Sequence, residues 1–168
     1  GKAWPVTEML FTAARGGTVR LNGAAYRGSL RLLATGQGRI NAVNLVDIEE
    51  YLYGVVPKEM PPTWPDEALK AQAVVSRSFA LYQKDANAAR EHDISATTAS
   101  QVYGGVAAES ERARRAVDAT RGRVLTFNGR AALAYFHANS GGVTEDARYV
   151  WRGGSPSLQS VTDEASSR

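Results

Sequence analysis

A chain of 168 residues with 43% hydrophobic side chains is long enough to bury one core, and its 20 Lys and Arg against 17 Asp and Glu leave a formal charge of only +3. With no block of like charge, that balance does not point to nucleic acid, and the absence of cysteine excludes disulfides and thiolate metal sites. No apolar run approaches the roughly 20 residues of a membrane-spanning helix, and no internal repeat or shift of composition marks a boundary. A single domain over residues 1–168 is expected, cut from a longer protein.

In chain order, residues 18–46 read as strands: TVRL, a hairpin turn at Asn22-Gly23, AYRGSLRLLA, a break at Gly36-Gln37-Gly38, then RINAVNLV. Asp47 and Glu50 have capping-box spacing before a short helix with Ile48 and Leu52 on one face, which Gly54 can end. GVVPKEMPP then follows as a restrained connection. Pro65, Asp66 and Glu67 open a longer helix in which Ala68, Ala71, Val75, Phe79 and Tyr82 recur at helical spacing. Residues 87–107 are small and polar and predict a long ordered loop. A second main helix spans roughly 108–121, stops at Gly122, and leads to a hairpin of RVLTF, Asn128-Gly129 and RAALAYFHA that runs into NSGGVT. The predicted architecture is α+β, an antiparallel sheet and hairpins with two main helices packed against it.

Glu59 is the first chemical candidate. Its carboxyl stands among Val55, Val56, Met60 and Trp64 on a backbone restrained by Pro57, Pro61 and Pro62, a setting suited to a general acid; the plainer alternative is a connection shaped by prolines with Glu59 in water. Arg77 shares a helix face with Lys70 and Lys84, either as a solvated basic face or as a guanidinium that orients a polyhydroxylated ligand or pairs with Glu59. In YFHANSGGVT, His137 and Ser140 invite a nucleophile reading, but no G-x-S-x-G elbow and no orienting acid accompany them, and Gly141-Gly142 suits a sharp turn or a closely approached backbone. Trp64, Tyr103, Tyr135 and Trp151 are aromatics for stacking on sugar rings or for packing the core. His92 and His137 are the only histidines, and no H-E-x-x-H pattern is present, so no metal and no cofactor is expected.

Taken together, DIEEYLYGVVPKEMPPTWPDEALKAQAVVSRSFALY, SQVYGG and RGRVLTFNGRAALAYFHANSGGVTEDARYVW resemble the SpoIID/LytB domain family from about Gly17 to near the C-terminus. That family includes peptidoglycan lytic transglycosylases acting on glycan strands stripped of stem peptides, and LytB proteins described as amidase enhancers. The resemblance implies a catalytic acid at Glu59 of VVPKEMP and a saccharide-binding arginine at Arg77 of AQAVVSRSFA. It also implies a groove lined by Gln101, Tyr103, Tyr135, His137, Ser140, Gly141, Gly142 and Thr144. The implied reaction cleaves the MurNAc-β-1,4-GlcNAc bond with one acid/base group and forms a 1,6-anhydro sugar. Implied partners are peptidoglycan glycan strands and an N-acetylmuramoyl-L-alanine amidase, and the implied location is extracytoplasmic, in the cell envelope. Some relatives bind zinc through His and Cys before the QVY segment; here EHDISATTASQVY keeps His92 and lacks cysteine, so a zinc site is not expected.

Overall fold

The computed structural model of the chain describes residues 7–14, 16–35, 38–150 and 156–167. Trp151 and part of the Gly36-Gln37-Gly38 break lie outside them. Among the described residues, five strands precede the first helix: β1 (Glu8–Thr12), β2 (Val19–Leu21), β3 (Ala24–Tyr26), β4 (Ser29–Thr35) and β5 (Arg39–Leu45). β4 is central in an antiparallel sheet ordered β1-β4-β5, while β2 and β3 pair as a separate hairpin. The Asn22-Gly23 turn forms as the sequence predicts, with φ of 50° and 83°. AYRGSLRLLA, however, is two strands. Gly28 adopts φ of 72° between them and presses against the Leu45 carbonyl, an approach that a side chain would block. β1 was not anticipated, because MLFT alone carries no turn signal or alternation that separates it from loop.

Three helices form the core: α1 (Ile48–Glu59), α2 (Asp66–Ala86) and α3 (Glu111–Ala119). Leu52, Tyr53 and Val56 of α1, Leu69 and Ala73 of α2, and Ala113, Ala116 and Val117 of α3 pack as one buried cluster. Each fully buried Leu or Val here contributes about 1.5–3 kcal/mol. The fold class is α+β as expected, but the helices pack chiefly on one another and the small sheets flank them. The period of α2 was read correctly and its face in part: Phe79 is buried and Ala68 and Val75 are half-buried, but Ala71 and Tyr82 are exposed, and Leu69, Gln72, Ala73, Ser76, Arg77 and Ala80 are buried as well. An Ala-rich helix gives a shallow hydrophobic contrast, so periodicity alone cannot choose between adjacent faces.

Asp47 caps α1 by accepting from the Glu49 N–H at 2.9 Å. Contrary to the sequence reading, α1 does not stop at Gly54. It runs through Gly54 and Pro57 to Glu59, because the buried face of Leu52, Tyr53, Val55 and Val56 outweighs one backbone hydrogen bond lost at proline near the helix end. The real stop is Met60, which precedes Pro61 and is extended with φ of −144° and ψ of 132°. After a 3-10 turn (Val106–Ala108), Ser110 caps α3 by accepting from the Ala113 N–H. The second hairpin shrinks to β6 (Thr126–Phe127) and β7 (Arg130–Ala131), and a short α4 (Ala147–Val150) follows.

Candidate functional site

Glu59 is the last residue of α1, half-buried, with its carboxylate oriented from across the chain: the Val102 N–H donates to Oε1 at 3.0 Å. Segment 101–104 lies along the C-terminal half of α1 and is anchored to it repeatedly. The Gly104 N–H donates to the Gly54 carbonyl at 3.1 Å. The Tyr103 ring rests on Gly54, where an added Cβ would stand 2.7 Å from the ring and 3.0 Å from the Gly105 carbonyl. Gly54 is therefore a seat for Tyr103 and not a helix stop. Tyr103 also packs near Tyr51 and Tyr26, with ring centroids 5.1 and 6.1 Å away. Burial, more than the neighbouring Glu109 and Tyr26, pushes the Tyr103 phenol up to about 12. Burial first, then the nearby Glu59 charge, also pushes the Tyr51 phenol well above its ordinary value.

Gln101 does not line an open surface as expected. It is 1% exposed, accepts from Tyr51 Oη at 3.2 Å, and donates to the Ser76 carbonyl at 3.4 Å. Tyr51 was not singled out from the sequence. Its signal was its place two helical turns before Glu59, on the same face of α1.

Arg77 is the largest correction. Neither a solvated basic face nor a partner of Glu59, it is 1% exposed and forms a two-point ion pair with buried Glu49, Nε to Oε1 at 3.0 Å and Nη2 to Oε2 at 2.6 Å. Its remaining donors go to the Arg123 carbonyl at 2.9 Å and the Val117 carbonyl at 3.3 Å, while the Gly122 N–H donates to Glu49 at 3.1 Å. This guanidinium joins the start of α1, the middle of α2 and the end of α3, and has no face turned to a saccharide. Lys70 pairs instead with Glu67 at 2.6 Å.

The remaining candidates make other contacts. Tyr135 packs on Phe79 of α2, ring centroids 6.0 Å apart. Burial pushes its phenol up. His137 is exposed, Ser140 Oγ donates to Asp163 at 2.8 Å and accepts from the Gly142 N–H at 3.1 Å, and Gly142 is buried in the turn. The Gly141 N–H donates to the Asn139 side chain. Thr144 pairs with Val161 through both its N–H and its hydroxyl. The described hydrogen bonds of residues 139–144 thus run within the turn and to 161–163, and not to Glu59. With its hydroxyl engaged by Asp163 and Gly142, Ser140 shapes a turn. Among the described residues no three His, Cys, Asp or Glu side chains stand close enough to hold a metal.

The class is an α+β domain, and comparison with known proteins supplies the lineage. The family model described as stage II sporulation protein, SpoIID, matches residues 36–127, more than half of the chain. The chain belongs to the SpoIID family. It is 41% identical over 142 residues to an uncharacterised protein of Brachyspira hyodysenteriae, covering 84% of this chain and 38% of that one. It is 38% identical over 112 residues to the amidase enhancer of Bacillus subtilis, covering 67% and 15% respectively. It is 35% identical over 135 residues to stage II sporulation protein D of the same organism, covering 71% and 39%. The chain thus spans under two-fifths of each of these relatives.

Proposed function

We propose that this domain acts on peptidoglycan glycan strands outside the cytoplasm, in the cell envelope, as a lytic transglycosylase with Glu59 as its single acid/base group. The observation that supports this most is the hold on Glu59: with Oε1 engaged by the Val102 N–H at 3.0 Å, the carboxyl is oriented and Oε2 is left to exchange a proton with substrate. Glu59 protonates the glycosidic oxygen as the MurNAc C1–O bond breaks. The MurNAc C6 hydroxyl then bonds to C1 and returns its proton to Glu59, giving a 1,6-anhydro end and a free GlcNAc hydroxyl. Trp64, 46% exposed just beyond Glu59, offers a face for a sugar ring.

The test is incubation of the domain alone with denuded glycan, followed by mass analysis of products. Cleavage to anhydro-ended fragments, lost by about two to four orders of magnitude in Glu59→Gln at unchanged melting temperature, is expected. A folded Glu59→Gln variant that still cuts would refute the role. The match to an amidase enhancer supports a second reading, in which the domain binds glycan and raises a partner amidase's activity without cutting. That reading predicts no products from the domain alone and stimulation of an added amidase that survives Glu59→Gln.

A further inference from the structure

The backbone group that holds Glu59 is itself held by a side chain two helical turns away. A peptide N–H has no freedom of its own: the plane of the Gln101–Val102 peptide bond aims it, and the positions of the flanking residues set that plane. Tyr51 meets Gln101, on one side of that bond, and Tyr103, the residue after Val102. The Tyr51 hydroxyl donates to Gln101 Oε1 at 3.2 Å, and its ring packs against the Tyr103 ring at 5.1 Å between centroids. The other end of the Gln101 amide is tied to the Ser76 carbonyl on α2, which leaves this 1%-exposed side chain little room to shift. On α1, Tyr51 and Glu59 stand on the same face, so one rigid helix carries both the carboxyl and the residue that fixes its hydrogen-bond donor.

We infer that Tyr51, acting through Gln101, is a positioning residue for Glu59: it aims the Val102 N–H and thereby fixes the orientation of the carboxyl group. This rests on the reading of Glu59 as the acid/base group. A merely structural tyrosine in this place would support the fold without governing the Val102 amide. The experiment therefore reads that amide directly.

The Val102 amide resonance is followed by NMR from about pH 3 to about pH 7, across the usual carboxylate range, in the wild-type domain, Glu59→Gln and Tyr51→Phe. Wild type is expected to show a Val102 shift that moves as Glu59 ionises, and Glu59→Gln to abolish the movement. Tyr51→Phe keeps the ring and the fold but loses the hydroxyl, and is expected to lose more than about half of the amplitude. Its kcat on denuded glycan is expected to fall about ten- to a hundred-fold with KM within about two-fold, the pattern of a misplaced reacting group. Full amplitude in Tyr51→Phe, or a loss confined to KM, overturns the inference. Wild-type domain that leaves glycan intact refutes the acid/base reading instead. If Tyr51→Phe does not fold, Gln101→Asn, which keeps the amide but shortens its reach, is judged by the same two measurements.

Discussion

Removing the Arg77 guanidinium while keeping its bulk, as in Arg77→Met, leaves the Glu49 carboxylate 4% exposed, with the Gly122 N–H at 3.1 Å and the carboxylate's counter-charge gone. It also strands the Arg123 carbonyl that Arg77 satisfied. Breaking one side of a buried pair costs about 3–5 kcal/mol, a large part of the roughly 5–15 kcal/mol by which a domain is stable. At about 2–4 °C per kcal/mol for a chain this size, the melting temperature is expected to fall by roughly 6–20 °C. Glu49→Leu strands the charge on the other side and is expected to cost a similar amount. The double variant Glu49→Leu/Arg77→Met removes both charges, and so is expected to recover most of the loss, with a coupling of about 2 kcal/mol or more in a double-mutant cycle. Thermal melts of the four proteins decide it. Additive losses, or an Arg77→Met variant that melts like wild type yet fails to process glycan, would refute the buried-hub account and return Arg77 to the substrate.

Gly54→Ala gains helix propensity of about 1 kcal/mol, but its Cβ meets Tyr103 at 2.7 Å. Overpacking of about 1–3 kcal/mol is expected to win, with a lower melting temperature that Tyr103→Ala partly relieves in the double variant. Tyr51 and Tyr103 both have phenols raised by burial. Above the unfolded value of about 10 the unfolded chain loses these protons first, so the native state binds more protons and stability falls as pH rises. A urea midpoint that declines from about pH 10 upward, less steeply in Tyr51→Phe, is the expected result; an unchanged slope would remove Tyr51 as a source. Chelators are expected to leave melting temperature unchanged, since among the described residues no cluster of three His, Cys, Asp or Glu side chains is present. About one zinc per chain by metal analysis would overturn that expectation.

Much of this protein is legible from local chemistry. Asn22-Gly23 and Asn128-Gly129 specify their turns because few other pairs accept positive φ at both positions, and Asp47 starts a helix because its side chain reaches one of the first free N–H groups. The setting of Glu59 is only half written in the chain: the residue before a proline is biased out of the helix, yet Val56 before Pro57 stays helical and Met60 before Pro61 leaves it, which makes Glu59 the last helical residue. What tertiary structure alone decided is which partner each polar group found. Nothing near Arg77 in sequence announces Glu49, 28 residues earlier, and a solvated arginine and a buried one share the same helical spacing. Gly54 looks like a stop until Tyr103, far along the chain, is seen resting on it. Gln101 and Tyr51, 50 residues apart, join only because the segment after α2 folds back along α1. Turns and caps are set by interactions across a few residues and so are written locally; ion pairs and ring contacts depend on the whole fold having brought distant segments within a few ångströms.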